Sequence, residues 1–354
     1  MTDAALEQCT ALLGALLRAL ETLEHCARHV RPDGLDDLAP LVVDAERGLR
    51  TVVEGLSPWP EAYASLRGAL DASVEPALRA LGEFRVATTE TGDLGSVYRS
   101  LRLLPRGQEA LYDLSRLPPV SRYFLENDSA GRAEALARAP RSDHTGLIHV
   151  GNEPKTRGGF SLYMPEDYDA GRAHPLVMAL HGGSGHGRRF LWSWLRAARS
   201  HGLILVAPTS VGPTWALTGP DPDTPNLSRI LDAICDEWTV DRSRLLLTGM
   251  SDGGTFAYIS GLDEASPFTH LAPVAAAFHP MLADMASPTR LRGLPIQITH
   301  GALDWMFPVA MAREAREALS RRGADVTLQE IADLSHCYPA EINPELADWL
   351  VGAT

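Results

Sequence analysis

Lysine is almost missing from this chain. Lys155 is the single one in 354 residues, and arginine supplies the remaining cationic side chains. That bias reads as a codon-composition trait of the source genome and carries no functional weight. Positive charge is in deficit overall, with 32 Lys+Arg against 45 Asp+Glu and a formal net charge of −13. With no basic stripe in view, nucleic acid is excluded as an expected partner, and so is an anionic membrane surface. Cysteine is scarce, and Cys9, Cys26, Cys235 and Cys337 stand apart without C-x-x-C spacing. They read as reduced thiols, not as a disulfide framework or a metal site. Long hydrophobic runs are also missing. None approaches the roughly 18 residues of a membrane span; the apolar run at residues 11–17 stops at Arg18. The start, Met1-Thr2-Asp3-Ala4, has no basic segment leading into an apolar run and cleavage site, so a cytoplasmic location is expected. No ligand cluster has zinc or calcium spacing, and no metal or other cofactor is expected.

What is present falls into two kinds of pattern, as the length also suggests. In the first 90 or so residues, Leu6, Cys9, Leu13, Leu16, Leu20, Leu23, Ala27 and Val30 recur at steps of three and four. This is a heptad stripe, widened by Leu12 and Leu17. Arg31-Pro32-Asp33-Gly34 and Ser57-Pro58-Trp59-Pro60 break it from two further stripes, one from Leu38 to Leu56 and one from Leu66 to Leu81. The spacing predicts an antiparallel helical bundle over residues 1–90. It would serve as a lid, as a homo-oligomer interface, or simply as packing. Residues 91–142 are expected to be an irregular connector with short helical pieces.

From residue 143 to 354 strand and helix alternate, the pattern of a mostly parallel sheet covered on both faces. Strands are expected at residues 147–150, 160–164, 176–180, 203–208, 245–248, 270–279, 296–299 and 326–331. Helices are expected at 190–201, 227–238, 310–322 and 344–351. The stretch around which this region is organised is Leu245-Leu246-Leu247-Thr248-Gly249-Met250-Ser251-Asp252-Gly253-Gly254. It holds G-x-S-x-G between a buried strand and a helix-compatible run, the pattern of a nucleophile elbow. There a serine occupies a strained turn at the carboxyl end of the sheet. The flanking glycines let strand and helix approach, and the first helical N–H groups face the reacting carbonyl. The plain alternative is a Gly-rich strand–helix turn.

Three further motifs stand in order around it: His181-Gly182-Gly183-Ser184-Gly185 after a buried strand, Thr299-His300-Gly301-Ala302-Leu303-Asp304 after another, and Asp333-Leu334-Ser335-His336-Cys337-Tyr338-Pro339 before the last helix. With these four motifs, residues from about 145 to 354 resemble the α/β-hydrolase family of serine esterases. More narrowly, they resemble the polyhydroxybutyrate depolymerase, feruloyl esterase and phospholipase/carboxylesterase group. The resemblance implies an α/β-hydrolase fold behind the helical bundle. It implies Ser251 as nucleophile, His336 as general base and Asp304 as the acid that orients it. It also implies an oxyanion hole from the N–H of Gly183, joined by that of Asp252, the residue after the nucleophile. Helix N-capping is the competing role for Asp304. His181 is expected to be structural, and His300 to hold the acid loop. Asp221 and Asp223 read as turn residues. Trp215, Trp305 and His279 are candidates to line a substrate pocket.

The implied activity is cleavage of small or oligomeric carboxylic esters, with aryl and short hydroxyacid (poly)esters as candidates. A thioesterase, a lysophospholipase or a peptidase uses the same machinery. A non-catalytic interaction protein, acting through the helical front, is the reading from another class.

Overall fold

The computed structural model describes residues 3–127, 130–140 and 142–352. Contacts divide the chain into two compact units, residues 1–124 and 125–354.

The first unit begins with three long helices, Asp3–His29 (α1), Leu35–Glu54 (α2) and Ala64–Val86 (α3). On α1 the buried side chains include Leu12, Leu16, Ala19, Leu20, Leu23 and Cys26, while Leu6 is exposed. This face is broader than the expected heptad seam, because α1 packs on α2 and α3 at once. The chain then turns through residues 87–91 into Leu94–Leu101 (α4), Leu104–Tyr112 (α5) and Pro118–Tyr123 (α6). This stretch, expected as a connector with short helical pieces, holds three short helices up to residue 123. Gly107 lets α5 settle onto the bundle: a Cβ there would lie 3.2 Å from Leu20 Cδ2 and 3.3 Å from Ser73 O. Ser73 Oγ donates to Gly107 O at 2.7 Å. Gln108 and Tyr123 each donate to Glu24 Oε1 at 2.7 Å. The division by contacts accordingly falls after Phe124, not near residue 90.

The second unit starts with Ala130–Arg138 (α7), whose Arg132 pairs with Asp167 and donates from Nε to Arg199 O at 2.9 Å. Its sheet is built from Gly146–Val150 (β1), Phe160–Met164 (β2), His174–Leu180 (β3), Ile204–Pro208 (β4), Val240–Met250 (β5), His270–Val274 (β6), Pro295–Gly301 (β7) and Asp325–Ile331 (β8). The order is β1-β2-β4-β3-β5-β6-β7-β8. The first hairpin and its junction with β4 are antiparallel, and every later pair is parallel. The helices are Gly187–Phe190 (α8), Leu195–His201 (α9), Asp223–Glu237 (α10), Asp252–Gly261 (α11), Met281–Met285 (α12), Pro288–Leu291 (α13), Ala310–Arg321 (α14) and Asn343–Val351 (α15). Leu176, Met178 and Leu180 of β3 join Leu245 and Leu247 of β5 in one core with α10, α11 and α14. The intervening Val177, Ala179 and Leu246 are just as buried and point to the opposite face. Both faces are covered, so the central strands read as unbroken apolar runs.

Two expected elements differ. The helix expected at residues 190–201 is broken: Trp194 N–H bonds to Leu191 O, and Ser193 Oγ donates to Phe190 O at 2.7 Å. That side-chain bond competes with the helical ladder. The strand expected to reach His279 ends at Val274, because Ala275 turns the chain at φ 45.

Candidate active site

Ser251 sits between β5 and α11 with φ 55 and ψ −121. Such a conformation is unfavourable for a residue with a Cβ. It persists because the surroundings leave no other path. Ser251 N–H donates to Val274 O at 2.9 Å, and Ser251 O accepts from Thr255 N–H at 2.8 Å. A Cβ at Gly253 would lie 2.5 Å from the carbonyl oxygens of Leu180 and His181, and one at Gly249 would lie 2.6 Å from Gly253 C. The spacing of glycines around the serine is thus a packing requirement, not only a motif.

The loops after β7 and β8 bring two more side chains to this point. His336 Nε2 is 3.0 Å from Ser251 Oγ, and His336 Nδ1 is 2.8 Å from Asp304 Oδ2. All three residues are buried. A carboxylate only accepts, so Nδ1 carries the proton and Nε2 is left to accept the serine hydroxyl hydrogen. Burial pushes the Asp304 carboxyl up. The hydrogen bonds from His336 and the N–H groups of Phe307 and Met306, together with the His336 charge, outweigh it and hold the carboxyl below the ordinary range. Asp304 Oδ1 accepts from Met306 N–H at 2.9 Å and Phe307 N–H at 2.8 Å. The carboxylate therefore closes its own turn with one oxygen and meets the imidazole with the other. Buried His300 steadies the same loop, its Nε2 donating to Phe307 O at 2.8 Å and lying 3.4 Å from Asp304 Oδ2.

The turn after β3 lies against the elbow. Cβ atoms built on Gly182 and Gly183 would sit 3.6 Å from Ser251 Cβ and 2.8 Å from Asp252 Oδ2. Asp252 opens α11, where its N–H has no partner within the helix. Behind the turn, His181 Nδ1 donates to Gly182 O at 2.7 Å, and its Nε2 accepts from Ser210 N–H at 3.1 Å. That pairing requires the neutral ring. Burial first, then the charges of Arg157, His186 and Arg189, against the Gly182 hydrogen bond, pull its pKa down to about 3. His181 is structural, as its position in the sequence suggests.

The three residues expected at a substrate pocket part company. Trp305 is 45% exposed with its ring edge-on to His336, centroids 6.5 Å apart. Trp215 does not reach the surface: at 2% exposure it stacks on Phe256, lies tilted against the His181 ring and donates from Nε1 to His181 O at 2.7 Å. It braces the turn from behind, which corrects its assignment to the pocket. His279 is exposed, and its Nδ1 accepts from Met281 N–H at 3.2 Å at the start of α12. Two residues went unnoticed in the sequence, Thr214 and Arg157, and a third, Asp223, reads there only as a turn residue. Thr214 Oγ1 donates to Asp252 Oδ2 at 2.6 Å. Arg157 holds carbonyls of two loops. Asp223 is more than a turn residue, being buried and accepting from the N–H groups of Val211 and Ala216. No motif marks any of them.

An eight-stranded sheet of this order, with a serine on a strained elbow after β5 and the loops after β7 and β8 meeting it, is the α/β-hydrolase fold, and the second unit has it. Within that class, residues 221–349 match the phospholipase/carboxylesterase family. The chain is 31% identical over 116 residues to a probable feruloyl esterase C of Aspergillus terreus, covering 31% of this chain and 43% of that protein. To feruloyl esterase C of Emericella nidulans it is 28% identical over 116 residues, again covering 31% and 43%. To a bifunctional acetylxylan esterase/xylanase of Neocallimastix patriciarum it is 27% identical over 186 residues, 48% of this chain and 25% of that one. The chain thus spans less than half the length of these curated relatives. A solved thermostable esterase aligns with a TM-score of 0.47 at 20% identity, over 58% of this chain and 62% of that chain.

Proposed function

We propose that the protein is a serine hydrolase of carboxylic esters, with Ser251 as nucleophile, His336 as general base and Asp304 as its orienting acid. One observation carries the reading: a hydroxyl, an imidazole and a carboxylate from three separate loops are joined in series at 3.0 and 2.8 Å. In the first step His336 Nε2 takes the hydroxyl proton as Ser251 Oγ attacks the ester carbonyl. The N–H groups of Gly183 and Asp252 receive the charge on the carbonyl oxygen. His336 returns the proton to the departing alcohol, and water then cleaves the acyl-enzyme by the same route. The feruloyl esterase likeness and the exposed Trp305 beside His336 direct the substrate search to aryl esters.

A fluorophosphonate probe tests the reading, followed by turnover of graded aryl and alkyl esters beside a thioester and a peptide. Labelling is expected at Ser251 alone, with esters preferred, and Ser251→Ala should lower kcat by about 10⁵-fold or more. A folded chain that takes no label at Ser251 overturns the hydrolase reading. Preference for the thioester or the peptide overturns the ester assignment.

A further inference from the structure

Between β1 and β2 the chain forms a strap, residues 151–159, that runs beside the end of β4. Gly158 N–H donates to Thr209 O at 3.1 Å, and Thr209 N–H donates to Gly159 O at 2.8 Å. From this strap the side chain of Arg157 reaches two other segments. Nη1 donates to Gly185 O at 2.8 Å, in the turn that carries Gly183. Nε donates to Gly212 O at 2.8 Å, and Nη2 donates to Pro213 O at 3.1 Å and to Ser210 Oγ. The partners are three carbonyls and a hydroxyl, with no carboxylate among them, so the guanidinium serves here as a rigid fork of donors more than as one half of an ion pair.

The loop at residues 210–216 is the link that gives this fork its reach. Its opposite side is held by Asp223, which accepts from Val211 N–H at 2.7 Å and Ala216 N–H at 2.8 Å. Three groups of the loop then bond to the machinery around Ser251. Thr214 Oγ1 donates to Asp252 Oδ2 at 2.6 Å, Trp215 Nε1 to His181 O at 2.7 Å, and Ser210 N–H to His181 Nε2 at 3.1 Å. The turn itself is tight and strained. Ser184 has φ 53, and a Cβ at Gly185 would lie 2.6 Å from Gly182 O. A strained turn keeps its shape only where its surroundings over-determine it. Arg157 bonds to the turn directly and to the loop that braces it.

We infer that Arg157 is the positioning residue of the oxyanion-stabilising turn, setting the Gly183 and Asp252 N–H groups for the transition state without touching substrate. This rests on the esterase reading above. Lysine at the same place offers one point charge and cannot span four acceptors, so Arg157→Lys should behave as a loss.

The test uses the full chain, p-nitrophenyl acetate as substrate and a fluorophosphonate as probe of Ser251. Arg157→Ala and Arg157→Lys are expected to lose about 10²-fold in kcat, the scale of one lost oxyanion donor. KM should change by less than about threefold, since only the transition state carries the charge, and the midpoint of the pH–rate profile should stay in place. Millimolar ethylguanidinium should restore several-fold activity to Arg157→Ala, and ethylammonium should not. If Arg157→Ala fails to fold, Arg157→Lys supplies the same split between kcat and KM. Unchanged kcat in a folded variant overturns the inference, as does a loss that tracks the unfolded fraction in thermal melts. Normal wild-type turnover with either result leaves the esterase reading standing. A wild-type chain that neither turns over the ester nor takes the probe removes both.

Discussion

Ser251 carries a cost of its own at the residue scale. With φ 55 and ψ −121 it holds a Cβ where glycine would be at ease. Backbone strain of this kind is on the order of 1–3 kcal/mol. Ser251→Gly and Ser251→Ala both remove the hydroxyl, so their difference isolates the backbone. After the extra chain entropy of glycine, Ser251→Gly should be more stable by about 1 kcal/mol and melt about 2–4 °C higher than Ser251→Ala, in differential scanning calorimetry. Asp304 is the second case. Its two oxygens are divided between loop and imidazole. An asparagine keeps the shape but allows its amide to face Nδ1, which favours the wrong tautomer. Asp304→Asn should therefore lose about 10⁴-fold in kcat near neutral pH, with the melting temperature much less affected, as paired kinetics and melts would register.

At the scale of elements, the turn after β3 ties catalytic geometry to stability through His181. The folded chain keeps this imidazole neutral, with a pKa near 3 against 6.5 for the free side chain. Below pH 6.5 the unfolded chain therefore binds a proton that the folded chain refuses. Stability is full above 6.5 and falls as the pH drops from there towards 3, by about 1.4 kcal/mol per unit from this one group. His186 and His270, also shifted down first of all by burial, add to the slope. Urea unfolding at pH 7, 6 and 5 should show this loss, and His181→Gln should flatten the slope by close to one proton. An equal slope in the variant would mean that the ring is charged in the folded chain.

For the whole molecule, the contact division assigns every residue of the candidate site to one unit. Gly183, Ser251, Asp252, Asp304 and His336 all lie in residues 125–354. The bundle has a buried face of its own, from Leu12 to Cys26 on α1 and from Leu70 to Phe84 on α3. Units with separate cores fold independently as a rule. A fragment of residues 125–354 should hydrolyse p-nitrophenyl acetate within about tenfold of the full chain, as steady-state assays would measure. A greater loss would give the bundle a part in catalysis, and sedimentation of the full chain would test its proposed role in self-association. Among the described residues no helix is long and apolar enough to cross a membrane.

The sequence by itself determined the alternation of strand and helix, the elbow, and the three side chains now found in series. These are local matters: β5 is an apolar run, glycines flank Ser251 because strand and helix touch there, and Asp304 and His336 follow strand ends in chain order. It did not determine where the helical front ends, because the docking of α5 depends on Gly107 meeting Leu20 and Ser73 far away in the chain. Nor did it say that Trp215 faces inward, since a loop position does not fix the side of the turn on which a ring packs. Arg157 was out of reach for the same reason. Its strap has no periodicity, and its partners lie 28 to 56 residues further on. Periodicity and motifs report what a residue does to its chain neighbours, whereas bracing acts between segments that become neighbours only when the sheet is assembled.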